Sequence, residues 1–176
     1  QEVALRDGLQ SEAGFVPTEE KIKCVDRLAA SGLRKIEVSS FVSPRAVPQL
    51  ADAEAVFQGI TRLPGVIYAA LVPNVRGMER AIAARADEVN LVMSASESHN
   101  RANLRMSGDA SFQAIKEAAA LAATAGMRVA ASLSCSFGCP FEGDVAVGQV
   151  LQWVDAFSKL GVAGVSLCDT TGMAFP

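Results

Sequence analysis

Short runs of aliphatic and β-branched residues alternate along the chain with stretches whose apolar positions recur at helical spacing. The runs at 3–6, 35–39, 66–72, 88–93, 128–134 and 164–167 are nearly continuous in apolar character. That is the pattern of parallel strands covered on both faces, rather than of half-exposed strands that alternate strictly. The intervening stretches read as helices. One opens at Thr18, read as its cap, with Glu19 and Glu20 in the first turn and Ile22, Val25, Leu28 and Ala29 at helical spacing. Others are expected near 51–60, 75–84, 111–125 and 145–160. Gly32, Gly126 and Gly161 each stand just past a helix and before a strand, where a left-handed residue is wanted.

The strands recur roughly every thirty residues, close to one βα unit of an eight-fold barrel of about 250 residues. The expected class is therefore α/β, a TIM (β/α)8 barrel represented by about its first six strands. On this reading residues 1–176 form a single incomplete domain that lacks the last two βα units. A doubly wound open sheet would be complete at this length, although no Gly-x-Gly-x-x-Gly follows the first run. Periodicity leaves both architectures open.

Composition narrows the function classes. Half the residues are apolar and only 6% aromatic, as in an α/β protein built on small aliphatics. A net charge of −3 offers no electrostatic case for nucleic acid. No apolar run approaches a membrane span and no signal peptide opens the chain, so neither nucleic acid nor membrane is an expected partner. Cys24, Cys135, Cys139 and Cys168 are scattered, which fits a reducing cytoplasm. In a eukaryote the mitochondrial matrix, reached by a removed transit peptide, would serve equally.

In parallel α/β folds the chemistry gathers at the carboxyl ends of the strands. The first run ends in Arg6-Asp7-Gly8-Leu9-Gln10; the second contains Glu37 and reaches Ser40; the sixth runs through Ser166 into Asp169. A carboxylate or guanidinium facing a barrel interior is costly unless it is paired or binds a ligand. Each acid, taken singly, could equally be a salt-bridge partner or a helix cap. Taken as a set they point to a polar pocket for a metal or an anionic substrate.

The segments 5–12 (Leu-Arg-Asp-Gly-Leu-Gln-Ser-Glu), 36–44, 71–74, 134–143 (Ser-Cys-Ser-Phe-Gly-Cys-Pro-Phe-Glu-Gly) and 166–172 occur together and in order. In these motifs the chain resembles the 3-hydroxy-3-methylglutaryl-CoA lyases, metal-dependent TIM-barrel enzymes. The resemblance implies that Asp7 ligates a divalent cation, Mg²⁺ or Mn²⁺, as suits a hard oxygen donor. It implies that Arg6 stabilises an enolate, and that Glu37 and Asp169 are acids of the same catalytic group. Arg6, Gln10, Ser40, Ser166 and Asn103 are implied substrate contacts. The implied partner is an acyl-CoA, and a homodimer is a candidate assembly.

The family's remaining metal ligands are two histidines spaced His-x-His and an asparagine, and a glycine-rich loop supplies a catalytic cysteine. These have no counterpart in the 176 residues. His99 alone stands in a different context, read as a loop histidine at the solvent or substrate rim. The expectation is a piece of a longer enzyme, inactive by itself. Cys135 and Cys139, spaced Cys-x3-Cys, read as packing or loop structure. Arg101, Asn103 and Arg105 read as a polar loop, either solvated or touching CoA phosphates. A Claisen-type synthase of the isopropylmalate or citramalate kind shares the opening motif, and a lyase for another 3-hydroxyacyl-CoA is a closer rival. A degenerate barrel used for binding is the non-enzymatic alternative.

Overall fold

The first apolar run does not extend as a strand. In the computed structural model, which describes residues 1–174, only Glu2 pairs with Ile36, in an isolated parallel bridge. The chain then winds into a π-helical turn, Ala4–Gly8. The cause is local: Glu2 Oε1 accepts the N–H groups of Val3 and Ala4 at 2.8 and 2.7 Å, turning the backbone out of the extended line. Asp7 N–H then bonds Val3 O at 2.7 Å. The described residues thus form five strands rather than six.

The other strands stand where the apolar runs place them: β1 (Lys35–Ser40), β2 (Ile67–Val72), β3 (Glu88–Ser94), β4 (Arg128–Ser134) and β5 (Val165–Leu167). The strand order follows the chain. The helices are α1 (Thr18–Ala30), α2 (Ala53–Gly59), α3 (Val75–Ala83), α4 (Glu97–Leu104), α5 (Gly108–Thr124) and α6 (Val147–Lys159). By contacts the chain divides into two compact units, Gln1–Val89 and Asn90–Pro176.

In the first unit β1 and β2 are parallel, in register from Lys35↔Ile67 to Ser40↔Leu71 with an irregularity between Glu37 and Ser39. Val25, Ile36, Val38, Val56 and Phe57 fill the core beneath α1 and α2. Thr18 is the first helical residue rather than the cap, because Pro17 takes the extended position before it. The Thr18 hydroxyl donates instead to Asp52 Oδ2 at 2.7 Å. Buried Lys21 donates to Asp52 Oδ1 and Gln49 O, both at 2.6 Å, so its charge is compensated where it lies. Gly77 lets α3 approach the end of β1: a Cβ there would stand 2.9 Å from Phe41 O.

In the second unit β4 and β5 are parallel, with Ser132↔Ser166 among the paired positions. Ile115, Ala118 and Ala122 line the buried face of α5, and their small volumes let it sit close to β4. The segment expected to be a polar loop is α4. Ser96 Oγ caps it by accepting His99 N–H at 3.1 Å, and Arg105 ends it in the left-handed region at φ 59°. Its one buried residue is Asn100, which accepts Ser94 N–H at 2.9 Å and donates to Met106 O and Ser111 Oγ at 2.9 and 2.6 Å. A helix held by hydrogen bonds rather than by an apolar stripe leaves no hydrophobic period to read.

Candidate functional site

In the first unit the π-helical turn and β1 bring four of the expected side chains together. Glu37 projects from β1 into full burial, which a carboxylate tolerates only with a cationic or hydrogen-bonding partner. Arg6 supplies it: Nε donates to Glu37 Oε1, and Nη1 donates to Asp7 Oδ1 at 2.6 Å. The guanidinium is thereby gripped along one side by a buried acid and at its tip by an exposed one; the Asp7 side chain is 56% accessible. Gln10 Nε2 donates to the same Asp7 oxygen at 3.1 Å.

Gln1, which the sequence reading passed over, donates from Nε2 to Glu37 Oε2 at 3.1 Å. No motif signals it; only its chain proximity to Arg6 does. Ser40 lies outside this cluster. It is buried, and its hydroxyl donates to Leu71 O at 3.2 Å, toward the neighbouring strand.

The end of β1 is clamped from behind. Arg80 on α3 pairs with Glu54 on α2, its Nη2 donating to Oε2 at 2.9 Å, and its Nη1 donates to Val42 O at 3.0 Å. Its guanidinium also lies 5.4 Å from the centre of the Phe41 ring. The Arg80 pairing holds the Glu54 carboxyl below its ordinary range, against a smaller opposing effect of burial.

In the second unit Asp169 is exposed, and both of its oxygens are engaged within its own turn. They accept the N–H groups of Met173 and Ala174 at 2.8 and 3.2 Å. Ser166 is exposed on β5, and Asn103 is exposed on α4 rather than on a loop. Cys135 and Cys139 are both buried. Cys135 takes the left-handed region at φ 54° and its N–H donates to Thr170 Oγ1 at 2.9 Å. Burial pushes the Cys135 thiol up.

Cys139 behaves differently. Ser96 Oγ, which accepts His99 N–H, also lies 2.9 Å from Cys139 Sγ, in a hydrogen bond that either group can donate. Burial pushes this thiol up, yet the Ser96 hydroxyl and the amides of Phe141 and Glu142 outweigh it and the net direction is downward. Glu142 Oε1 in turn accepts Ser98 N–H at 2.6 Å, so the segment after β4 is latched to the start of α4. His99 is half-buried beside Phe141, on a helix rather than a rim loop, with an enclosed Nδ1 that has no partner among the described residues. Burial lowers its pKa.

Among the described residues no group of three histidine, cysteine or acidic side chains converges as a cation site. Asp7 supplies one accessible hard oxygen donor, which suits one ligand position for a divalent ion such as Mg²⁺ or Mn²⁺. No helix among the described residues is long and apolar enough to cross a membrane.

Comparison with known proteins gives a consistent result. The HMGL-like family model matches residues 1–176. Hydroxymethylglutaryl-CoA lyase YngG of Bacillus subtilis is 45% identical, covering 99% of this chain and 58% of its own length. The human mitochondrial hydroxymethylglutaryl-CoA lyase is 41% identical, with 99% of this chain and 54% of that protein covered. The solved structure of an HMG-CoA lyase from Acinetobacter baumannii, in complex with coenzyme A and 3-methylmalate, superposes with a TM-score of 0.97 at 45% identity. It covers all of this chain and 57% of that one. The α/β fold is that of a portion of the TIM barrel of these lyases. The chain spans a little more than half the length of the relatives it matches.

Proposed function

The chain belongs to the HMGL-like family, and from that premise we propose that its parent protein cleaves 3-hydroxy-3-methylglutaryl-CoA to acetyl-CoA and acetoacetate. The observation that carries this reading is the Arg6 guanidinium, fixed between buried Glu37 and exposed Asp7. A retro-Claisen cleavage leaves an enolate on the acetyl-CoA fragment as the carbon–carbon bond breaks. A permanently charged, pre-oriented guanidinium answers that developing oxyanion more strongly than it answers the neutral ground-state thioester.

The residues divide the work. Glu37 holds the Arg6 plane by its Nε and removes the entropic cost of orienting it, which leaves guanidinium N–H donors for the substrate. Gln10 orients the Asp7 carboxylate. Asp7 would hold a divalent cation, Mg²⁺ or Mn²⁺, together with ligands from outside this chain. When bound, that ion supplies Lewis-acid polarisation of the substrate hydroxyl and acyl oxygens. Asp169 is proposed as a second acid of the catalytic group, its turn pre-shaped by the two amides it accepts. Ser40, Ser166 and Asn103 are proposed substrate contacts.

The 176 residues are proposed as part of one barrel domain. A homodimer is the proposed assembly, checked by light scattering. The proposed compartment is the cytoplasm, or the mitochondrial matrix in a eukaryote. The ligand role is tested by titrating the full-length protein and its Asp7→Asn variant with Mn²⁺. Affinity falling at least about tenfold in the variant is expected, and unchanged affinity would remove Asp7 from the site.

A further inference from the structure

The segment from Cys139 to Gly143 takes no part in the charged cluster around Arg6. It closes on itself as a turn. Cys139 N–H donates to Gly143 O at 2.7 Å and Gly143 N–H to Cys139 O at 2.8 Å, an antiparallel bridge across Pro140, Phe141 and Glu142. Gly143 takes φ 77°, which costs a glycine little. Inside the turn the buried Cys139 Sγ accepts Phe141 N–H at 3.4 Å and lies against Ser96 Oγ. The turn is thus pinned at its base, and Glu142 is presented from it, exposed.

What Glu142 reaches is the first turn of α4. Its Oε1 accepts Ser98 N–H at 2.6 Å across 44 positions of the chain, next to His99 N–H, which Ser96 Oγ accepts. The Ser98 hydroxyl and amide hold the Glu142 carboxyl below its ordinary range. A carboxylate on an N-terminal amide makes a charge-assisted hydrogen bond, and the helix dipole favours it there. The one buried residue of α4 is Asn100, so no apolar face seats the helix and its place depends on polar tethers. Elements with few buried apolar contacts open locally at low free-energy cost.

We propose that Glu142 is a positioning residue: it keeps α4 docked where Asn103 meets the acyl-CoA, and so sets substrate affinity without touching the substrate. This rests on the lyase reading, in which exposed Asn103 on α4 is a substrate contact. Apparent affinity scales with the fraction of molecules in the competent arrangement. A tether that raises this fraction tightens binding and leaves the chemistry of Arg6 and Asp7 as it was.

The test uses the full-length protein, with 3-hydroxy-3-methylglutaryl-CoA for turnover and acetyl-CoA for calorimetric binding. In Glu142→Ala, KM is expected to rise and acetyl-CoA affinity to fall, each about tenfold, while kcat and Mn²⁺ affinity stay within about twofold. Glu142→Gln keeps an acceptor oxygen but not the charge; it should move the same way by less, and serves if Glu142→Ala melts early. In an Asn103→Ala background, Glu142→Ala should add less than about twofold, because both changes act through one contact. Unchanged KM and affinity, a fall in kcat at constant KM, or full additivity with Asn103→Ala would overturn the proposal. A wild type that binds acetyl-CoA but cleaves nothing would defeat the lyase reading alone, and the binding comparison would still decide the role of Glu142.

Discussion

Arg6 can serve an oxyanion only while its plane is fixed, and the buried carboxylate of Glu37 fixes it. Glu37 is fully inaccessible and Arg6 nearly so, with 15% of its side chain exposed. Removing one member strands the other. Glu37→Gln is therefore expected to cost about 3 kcal/mol of stability, read by denaturant unfolding, as for other broken buried pairs. Arg6→Lys keeps the charge but loses the fork that reaches Glu37 and Asp7 at once, and should not restore turnover.

A second residue-scale expectation concerns pH. The His99 imidazole is disfavoured as a cation by burial. In the unfolded chain it takes its proton near 6.5, and in the folded chain only below that. The unfolded state then binds more protons across this interval, so the histidine's contribution is complete above about pH 6.5 and is lost as pH falls toward the folded value. Melting curves between pH 7.5 and 5 should show this loss in the wild type and a flatter profile in His99→Gln. Equal slopes in the two proteins would contradict it.

At the scale of elements, the strands and the longer helices were legible because apolar side chains pack them. β4 occupies the expected span, and α5 begins only three residues earlier, at Gly108. The two departures share one physical cause. The π-helical turn at Ala4–Gly8 is set by the Glu2 carboxylate, and α4 is held by Ser96 and Asn100, so polar hydrogen bonds decide the backbone where hydrophobic period is silent. The polar cluster followed the same rule. Arg6, Asp7 and Glu37 were legible as charges at expected strand ends, but their mutual grip was not, because Arg6 reaches Glu37 across 31 positions of the chain.

Two element-scale outcomes follow. Asn100→Ala removes the partner of Ser94 N–H in a fully buried place and should lower stability by roughly 2–4 kcal/mol. Gly77→Ala drives a methyl against Phe41 O at the end of β1 and should lower stability by about 1–3 kcal/mol, measured by thermal or denaturant unfolding. Wild-type stability in the Gly77 variant would show that α3 can shift freely.

For the whole molecule, the share of the relatives' length that is matched and the chain's own chemistry bear on the same expectation. The chain matches the HMGL-like family throughout and corresponds to between 54% and 58% of the length of the B. subtilis and human lyases. Its described residues contain the guanidinium and one hard-oxygen donor but no three-ligand cluster. Residues 1–176 expressed alone are therefore expected to bind Mn²⁺ weakly and to release no acetoacetate, whereas the full-length protein is expected to bind Mn²⁺ more tightly and to release acetoacetate. Acyl-CoA turnover by the 176-residue chain would mean that Asp7, water and substrate suffice to hold the ion.

The most direct test of the central claim is acetoacetate release from 3-hydroxy-3-methylglutaryl-CoA by the full-length protein, with and without Mg²⁺ or Mn²⁺, beside its Arg6→Gln variant. Metal-dependent cleavage that falls on the order of a thousandfold or more in the variant, assayed at a temperature where both proteins remain folded, is the predicted result. Absence of cleavage by the wild type, or an undiminished rate in Arg6→Gln, would contradict it.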